Sequence, residues 1–175
     1  MTHFTVSDLA DEQLESAYAL IRTLAPDVSL ERWLTYARAM RQKGGILGLF
    51  GRDQMLFGLL TYRREDCLRY GLVMLVENFV TFELNRASPG RKALCEAVEA
   101  LARTEDCAAV RMIVNGRGHI DAQSAKTRGW IALGHNAESI VLTKGLDCCC
   151  GDMPAHEGVP APGLRQIKSM PRGRS

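Results

Sequence analysis

The sequence predicts one α+β domain with its elements in the order β-α-α-β-β-β-α-β-α-β-β. Three observations carry that reading: two amphipathic helical stripes near the start, a strand-rich apolar block between residues 46 and 82, and a strand–helix–strand unit between residues 72 and 114. At 175 residues the chain is long enough to bury a core without disulfides or metals. Its 46% apolar and 24% charged content is that of an ordinary globular protein.

His3 to Val6 alternates polar and apolar residues, as a short first strand does. Leu14, Ala17, Tyr18, Ile21 and Leu24 then recur at helical spacing, with Asp11, Glu12 and Glu15 at the end where the helix dipole favours acids. Pro26 closes that helix. Ser29 is placed to cap a second one, whose apolar stripe is Leu30, Trp33, Leu34, Ala37 and Met40, and Gly44 and Gly45 end it. Ile46 to Phe50 and Met55 to Tyr62 flank a turn at Gly51, Arg52 and Asp53 and read as a hairpin. Leu72 to Phe82 is a longer apolar run, as in a strand buried on both faces.

The chain turns at Asn85 to Gly90 and enters a helix with Ala93, Leu94, Ala97, Val98 and Leu101 inward. Ala108 to Val114 is the next strand, expected to run parallel to the one before the helix. Ile120 to Thr127 reads as a short helix broken by Gly129 and Trp130, and Ser139 to Thr143 as a closing strand. The domain is expected to span 1–144. The remainder, 145–175, carries Pro154, Pro160, Pro162 and Pro171 with little periodicity and is expected to be a loosely ordered tail.

Composition excludes several function classes. The net charge of +2 gives no reason to expect a nucleic-acid partner. No apolar run approaches the roughly 18–20 residues of a membrane span, and Met1 to Val6 lacks the basic and apolar stretches of a secretory signal. The six cysteines have no framework spacing, so reduced thiols and a cytoplasmic location are expected. Cys148, Cys149 and Cys150 with His156 lack the gap of zinc knuckles, and no metal is expected. Trp33 and Trp130 fall on apolar patterns and are expected in the core.

The chemistry concentrates in Glu77 to Leu101, ENFVTFELNRASPGRKALCEAVEAL. A buried strand runs into a Ser/Pro/Gly turn and straight into a helix, whose first-turn N–H groups and dipole favour an anion. Arg86, Arg91 and Lys92 add full positive charge at the same turn. The plain alternative is a solvated basic helix start.

This strand, turn and helix resemble the acetyl-CoA motif of the Gcn5-related N-acetyltransferases (GNAT), Arg/Gln-x-x-Gly-x-Gly/Ala followed by an apolar helix. Arg86 stands on the motif's first position, and Leu94 and Cys95 fall where the helix is apolar. The element order from Phe4 to Thr143 matches as well. Two positions depart: Pro89 stands for the first glycine and Arg91 for the second, with Gly90 between them. Proline has no N–H to offer a phosphate, though it suits a first helical turn.

The resemblance implies a mixed, mostly antiparallel sheet flanked by helices, acetyl-CoA as co-substrate and a primary amine as acceptor. It implies that Phe79, Val80 and Thr81 bind the pantetheine arm and thioester carbonyl by their backbone, and that Arg86, Ser88, Gly90, Arg91 and Lys92 hold the diphosphate. Asn115 is placed to reach the pantetheine amide, or is a turn residue. Glu77, a carboxylate in an apolar strand, is the candidate general base; a carboxylate at the strand's solvent edge, or a structural ion pair with an arginine such as Arg69, is the alternative. Many relatives carry a tyrosine acid four residues before a Gly-aromatic pair. Gly129-Trp130 fits the pair, but the tyrosine position is Ala125, with Ser124 beside it. His119 is an acid, a base, an acceptor contact or a surface residue. A non-catalytic GNAT-like module that binds CoA or scaffolds partners is the second expectation, with a homodimer or partner recruited through the tail left open.

Overall fold

The computed structural model describes residues 4–82, 89–114 and 125–136, all within Met1–Val141. Among them are five strands in one sheet, in spatial order β1 (Thr5–Asp8), β2 (Gly44–Phe50), β3 (Leu56–Cys67), β4 (Gly71–Thr81) and β5 (Ala109–Met112). Every neighbouring pair is antiparallel except β4 and β5, which are parallel. Four α-helices accompany them: α1 (Leu14–Leu24), α2 (Leu30–Lys43), α3 (Pro89–Thr104) and α4 (Ala125–Ile131). A 3₁₀ turn at Asp11–Gln13 leads into α1. The mixed, mostly antiparallel α+β arrangement expected from the sequence is therefore present.

Side-chain alternation along the strands sorts the core into two layers. Ile46, Phe50 and Leu59 pack with Leu14, Ala17, Ile21, Trp33, Ala37 and Met40 of α1 and α2. Leu47, Leu49, Leu60, Met74 and Val76 face the other way, onto Leu94, Val98 and Ala102 of α3. The sheet thus lies between the first two helices and α3. Ser29 caps α2 as expected, its hydroxyl accepting from the Arg32 amide at 3.2 Å. Trp33 ties the helix pair together: its indole N–H donates to the Leu14 carbonyl at 2.7 Å.

Some boundaries differ from the sequence reading. β3 continues past Tyr62 to Cys67, through Arg63, Arg64, Glu65 and Asp66. Charged residues imitate a loop in sequence, but here they pair with Leu72 and the buried Val73, Met74 and Leu75. The fourth helix is not broken at Gly129 and Trp130; it runs through both. It stops instead in a Schellman turn, where Gly134 takes a left-handed φ of 88°. The His135 amide returns to the Trp130 carbonyl at 3.2 Å and the Gly134 amide to that of Ile131 at 2.9 Å. The closing strand expected at 139–143 and the tail 145–175 lie outside the described residues.

Candidate active site

The centre of the site is an irregularity in β4. Thr61 pairs with Asn78 but Tyr62 pairs with Val76, so Glu77 is an extra residue without a partner in β3. Such a bulge locally bends its strand. It also turns Glu77 and Asn78 to the same face of the sheet, where both reach Tyr36 of α2. Pairing between β4 and β5 ends at the same place: its last partners are Val76 and Met112, followed by an Ile113 amide bonded to the Val76 carbonyl at 2.8 Å.

Beyond the bulge β4 keeps only β3 as a strand neighbour among the described residues. Val80 pairs with Leu59, and the Phe82 amide donates to the Phe57 carbonyl at 2.6 Å. Alternation then turns the amides of Phe79 and Thr81 away from β3, to the side where β5 has ended. Val80 has its backbone committed to β3. An open pocket of about 190 Å³ lies on this side, lined by Leu24, Phe79, Val80, Thr81, Arg91, Val114 and Trp130.

The helix that follows the turn starts at Pro89, where a missing N–H costs nothing because the first amides of a helix have no internal partner. Gly90 is buried in the same turn, and the buried stripe continues through Leu94, Cys95, Val98 and Ala102. Arg91 reaches across to α4, with its guanidinium carbon 5.2 Å from the centroid of the Trp130 ring. Gly129 leaves room for that approach, since a Cβ there would lie 3.1 Å from Arg91 Nη1. Phe79 meets Trp130 as well, with ring centroids 5.0 Å apart and the two rings nearly perpendicular at 86°. The indole nitrogen of Trp130 is buried and has no hydrogen-bond partner among the described residues. Lys92 is exposed and lies 3.7 Å from Glu96, one turn along α3.

Glu77 is ion-paired with Arg63 of β3, not with Arg69. Its other carboxylate oxygen, Oε2, accepts from the Tyr36 hydroxyl at 3.1 Å. Asn78 Nδ2 donates to the hydroxyl oxygens of Tyr36 and Thr61 at 2.9 and 3.0 Å. Thr61 is fully buried, a polar residue in the core whose satisfaction depends on this network. Burial pushes the Tyr36 hydroxyl from 10.0 up to about 12, and the neighbouring Glu77 carboxylate acts in the same direction.

The structure places Phe79, Val80, Thr81 and Arg91 on one pocket, with Gly90 beside Arg91 in the first turn of α3 and Glu77 in the bulge two residues before Phe79. Arg86, Ser88, Asn115, His119 and Ser124 lie outside the described residues. Sequence reasoning missed Tyr36, which flanks the α2 stripe as an ordinary aromatic, and it placed Trp130 in the core, whereas the ring lines the pocket. The i, i+3 spacing of Trp33 and Tyr36 marks both as facing the sheet, yet nothing in it marks a hydroxyl aimed at a bulge.

No family model matches this sequence, nor does any curated protein. Solved structures do. An aminoglycoside N-acetyltransferase in complex with CoA superposes with a TM-score of 0.69 at 15% identity, covering 85% of this chain and 97% of that one. The aminoglycoside 6'-N-acetyltransferase of Acinetobacter baumannii gives a TM-score of 0.67 at 20% identity over 82% and 99% of the two chains. Glucosamine-6-phosphate N-acetyltransferase from Arabidopsis thaliana gives 0.60 at 14% identity over 83% and 99%. With the mostly antiparallel sheet and its helices, these superpositions establish that the chain has the fold of the GNAT acetyltransferases.

Proposed function

We propose that this chain is a GNAT-family N-acetyltransferase that moves an acetyl group from acetyl-CoA to a primary amine. The observation that carries the proposal is the end of the β4–β5 pairing at Val76, which leaves the amides of Phe79 and Thr81 turned to an open pocket. Three features of that pocket fit coenzyme A. They are the two strand amides, the Trp130 indole N–H without a partner among the described residues, and the Arg91 charge in the first turn of α3. In this reading Phe79, Val80 and Thr81 line the pantetheine arm, and Arg86, Ser88, Gly90, Arg91 and Lys92 surround the diphosphate. Asn115 meets the pantetheine amide.

Bound acetyl-CoA supplies an activated acyl carbon and a thiolate leaving group. The chain contributes position and charge. The Phe79 and Thr81 amides stabilise negative charge on the carbonyl oxygen as the amine nitrogen attacks. Glu77, on the α1/α2 face of the bulge, accepts the amine proton directly or through water. The N–C bond forms as the C–S bond breaks, and the thiolate departs without a side-chain acid at Ala125. The acceptor lies in a groove formed in part by α1 and α2.

The test is release of free thiol from acetyl-CoA with a panel of amines: an aminoglycoside, glucosamine 6-phosphate, a polyamine and a lysine-containing peptide. Acceptor-dependent turnover is expected with at least one amine class. A chain that binds CoA but releases no thiol with any of them is a non-catalytic module. The residues at Pro89, Arg91 and Ala125, which depart from the family's motif, favour that second reading.

A further inference from the structure

We infer that Tyr36 is a positioning residue for Glu77, so that helix α2 sets the orientation of the carboxylate that receives the amine proton; this rests on the acetyltransfer reading above.

The direction of the Tyr36 proton follows from the donors around it. Asn78 Nδ2 carries two hydrogens and gives one to Tyr36 and one to Thr61, at 2.9 and 3.0 Å. Thr61 Oγ1 lies 3.3 Å from the Tyr36 oxygen and has its own hydrogen to give. The acceptors within reach of the tyrosine hydrogen are Thr61 and the Glu77 carboxylate, and a charged oxygen is the stronger acceptor. Tyr36 therefore donates to Glu77 Oε2, at 3.1 Å. Arg63 holds the opposite oxygen, so the carboxylate is pinned from both ends.

The tyrosine is itself held. Its ring stacks on Trp33 with centroids 6.2 Å apart and an interplanar angle of 29°. Trp33 is 2% exposed and anchored to the Leu14 carbonyl. A rigid chain thus runs from the start of α1 through Trp33 and Tyr36 to the bulge. Positioning of this kind matters because small displacements of a proton acceptor cost rate out of proportion to their size.

The experiment measures thiol release by the full-length chain with the amine of the panel it turns over, for the wild type, Tyr36→Phe, Glu77→Gln and the double variant. Tyr36→Phe keeps the ring on Trp33, and its circular dichroism melt verifies the fold. It is expected to lower kcat about 10-fold with KM for acetyl-CoA changed less than about twofold, the split of an interaction felt in the transition state. In the Glu77→Gln background the same change is expected to have little further effect, because the group it orients is gone. Additive losses in the double variant, or a rise in KM with kcat intact, overturn the positioning role and leave the acetyltransfer reading standing. A wild type that turns over no amine overturns both.

Discussion

At the scale of single residues, the proposed chemistry turns on Glu77, an acid inserted as the extra residue of a bulge between Val76 and Asn78. Glu77→Gln keeps the shape and the contact with Tyr36 but cannot take a proton. Its kcat for acceptor-dependent thiol release is expected to fall about 10²–10⁴-fold, with acetyl-CoA binding by calorimetry almost unchanged. Two other groups give a measurable pH signature. Burial pushes the Cys95 thiol from 9.0 up to about 12 and the Tyr36 hydroxyl from 10.0 up to about 12. Both bind their protons more tightly folded than unfolded, so the stability they contribute is complete below about pH 9 and declines as the pH rises towards about 12. Urea midpoints are therefore expected to fall between about pH 8 and about pH 11. Cys95→Ala is expected to flatten part of that fall, and a midpoint independent of pH over this range contradicts it.

At the scale of elements, α3 joins the two strands whose pairing creates the cleft, and its buried stripe presses Leu94 and Val98 into the layer under β2, β3 and β4. Leu94→Ala leaves a cavity there and is expected to cost about 2–5 kcal/mol in urea unfolding. The Arg91–Trp130 contact joins α3 to α4 beside the pocket, and Trp130→Ala is expected to weaken CoA binding several-fold while Glu77 chemistry per bound molecule is kept. How much of this was legible in the sequence varied with the physics involved. Apolar periodicity revealed α1, α2, α3 and the parallel strands, because burial imposes it residue by residue. It misjudged β3 beyond Tyr62, where strand pairing with a buried neighbour outweighs four charged residues. It misjudged the end of α4 too, since a Schellman turn at Gly134 stops that helix and Gly129 sits inside it. The bulge was invisible, because it is a mismatch between two strands and neither sequence records it alone. Glu77 stands out in sequence as an acid in an apolar strand, but its partners Arg63 and Tyr36 do not.

At the scale of the whole molecule, the helix pair and α3 cover opposite faces of one sheet, and the sheet opens along β4 where the two layers meet the pocket. One face carries Glu77, the proposed proton acceptor, with Tyr36 of α2 bonded to it; the other carries the start of α3 with Arg91. A small molecule lying along the β4 edge touches both, and that division of labour is the central claim. A bound cofactor must also stabilise the fold by mass action, by about 2.7 kcal/mol at a hundred times Kd, so the melting temperature is expected to rise with CoA concentration. The most direct measurement is isothermal titration of acetyl-CoA into the full-length chain and into an Arg91→Ala variant. Saturable one-to-one heat with a micromolar Kd, weakened at least about tenfold in the variant, is the result predicted. Heat absent at about 1 mM ligand, or unaltered by loss of the Arg91 guanidinium, contradicts it.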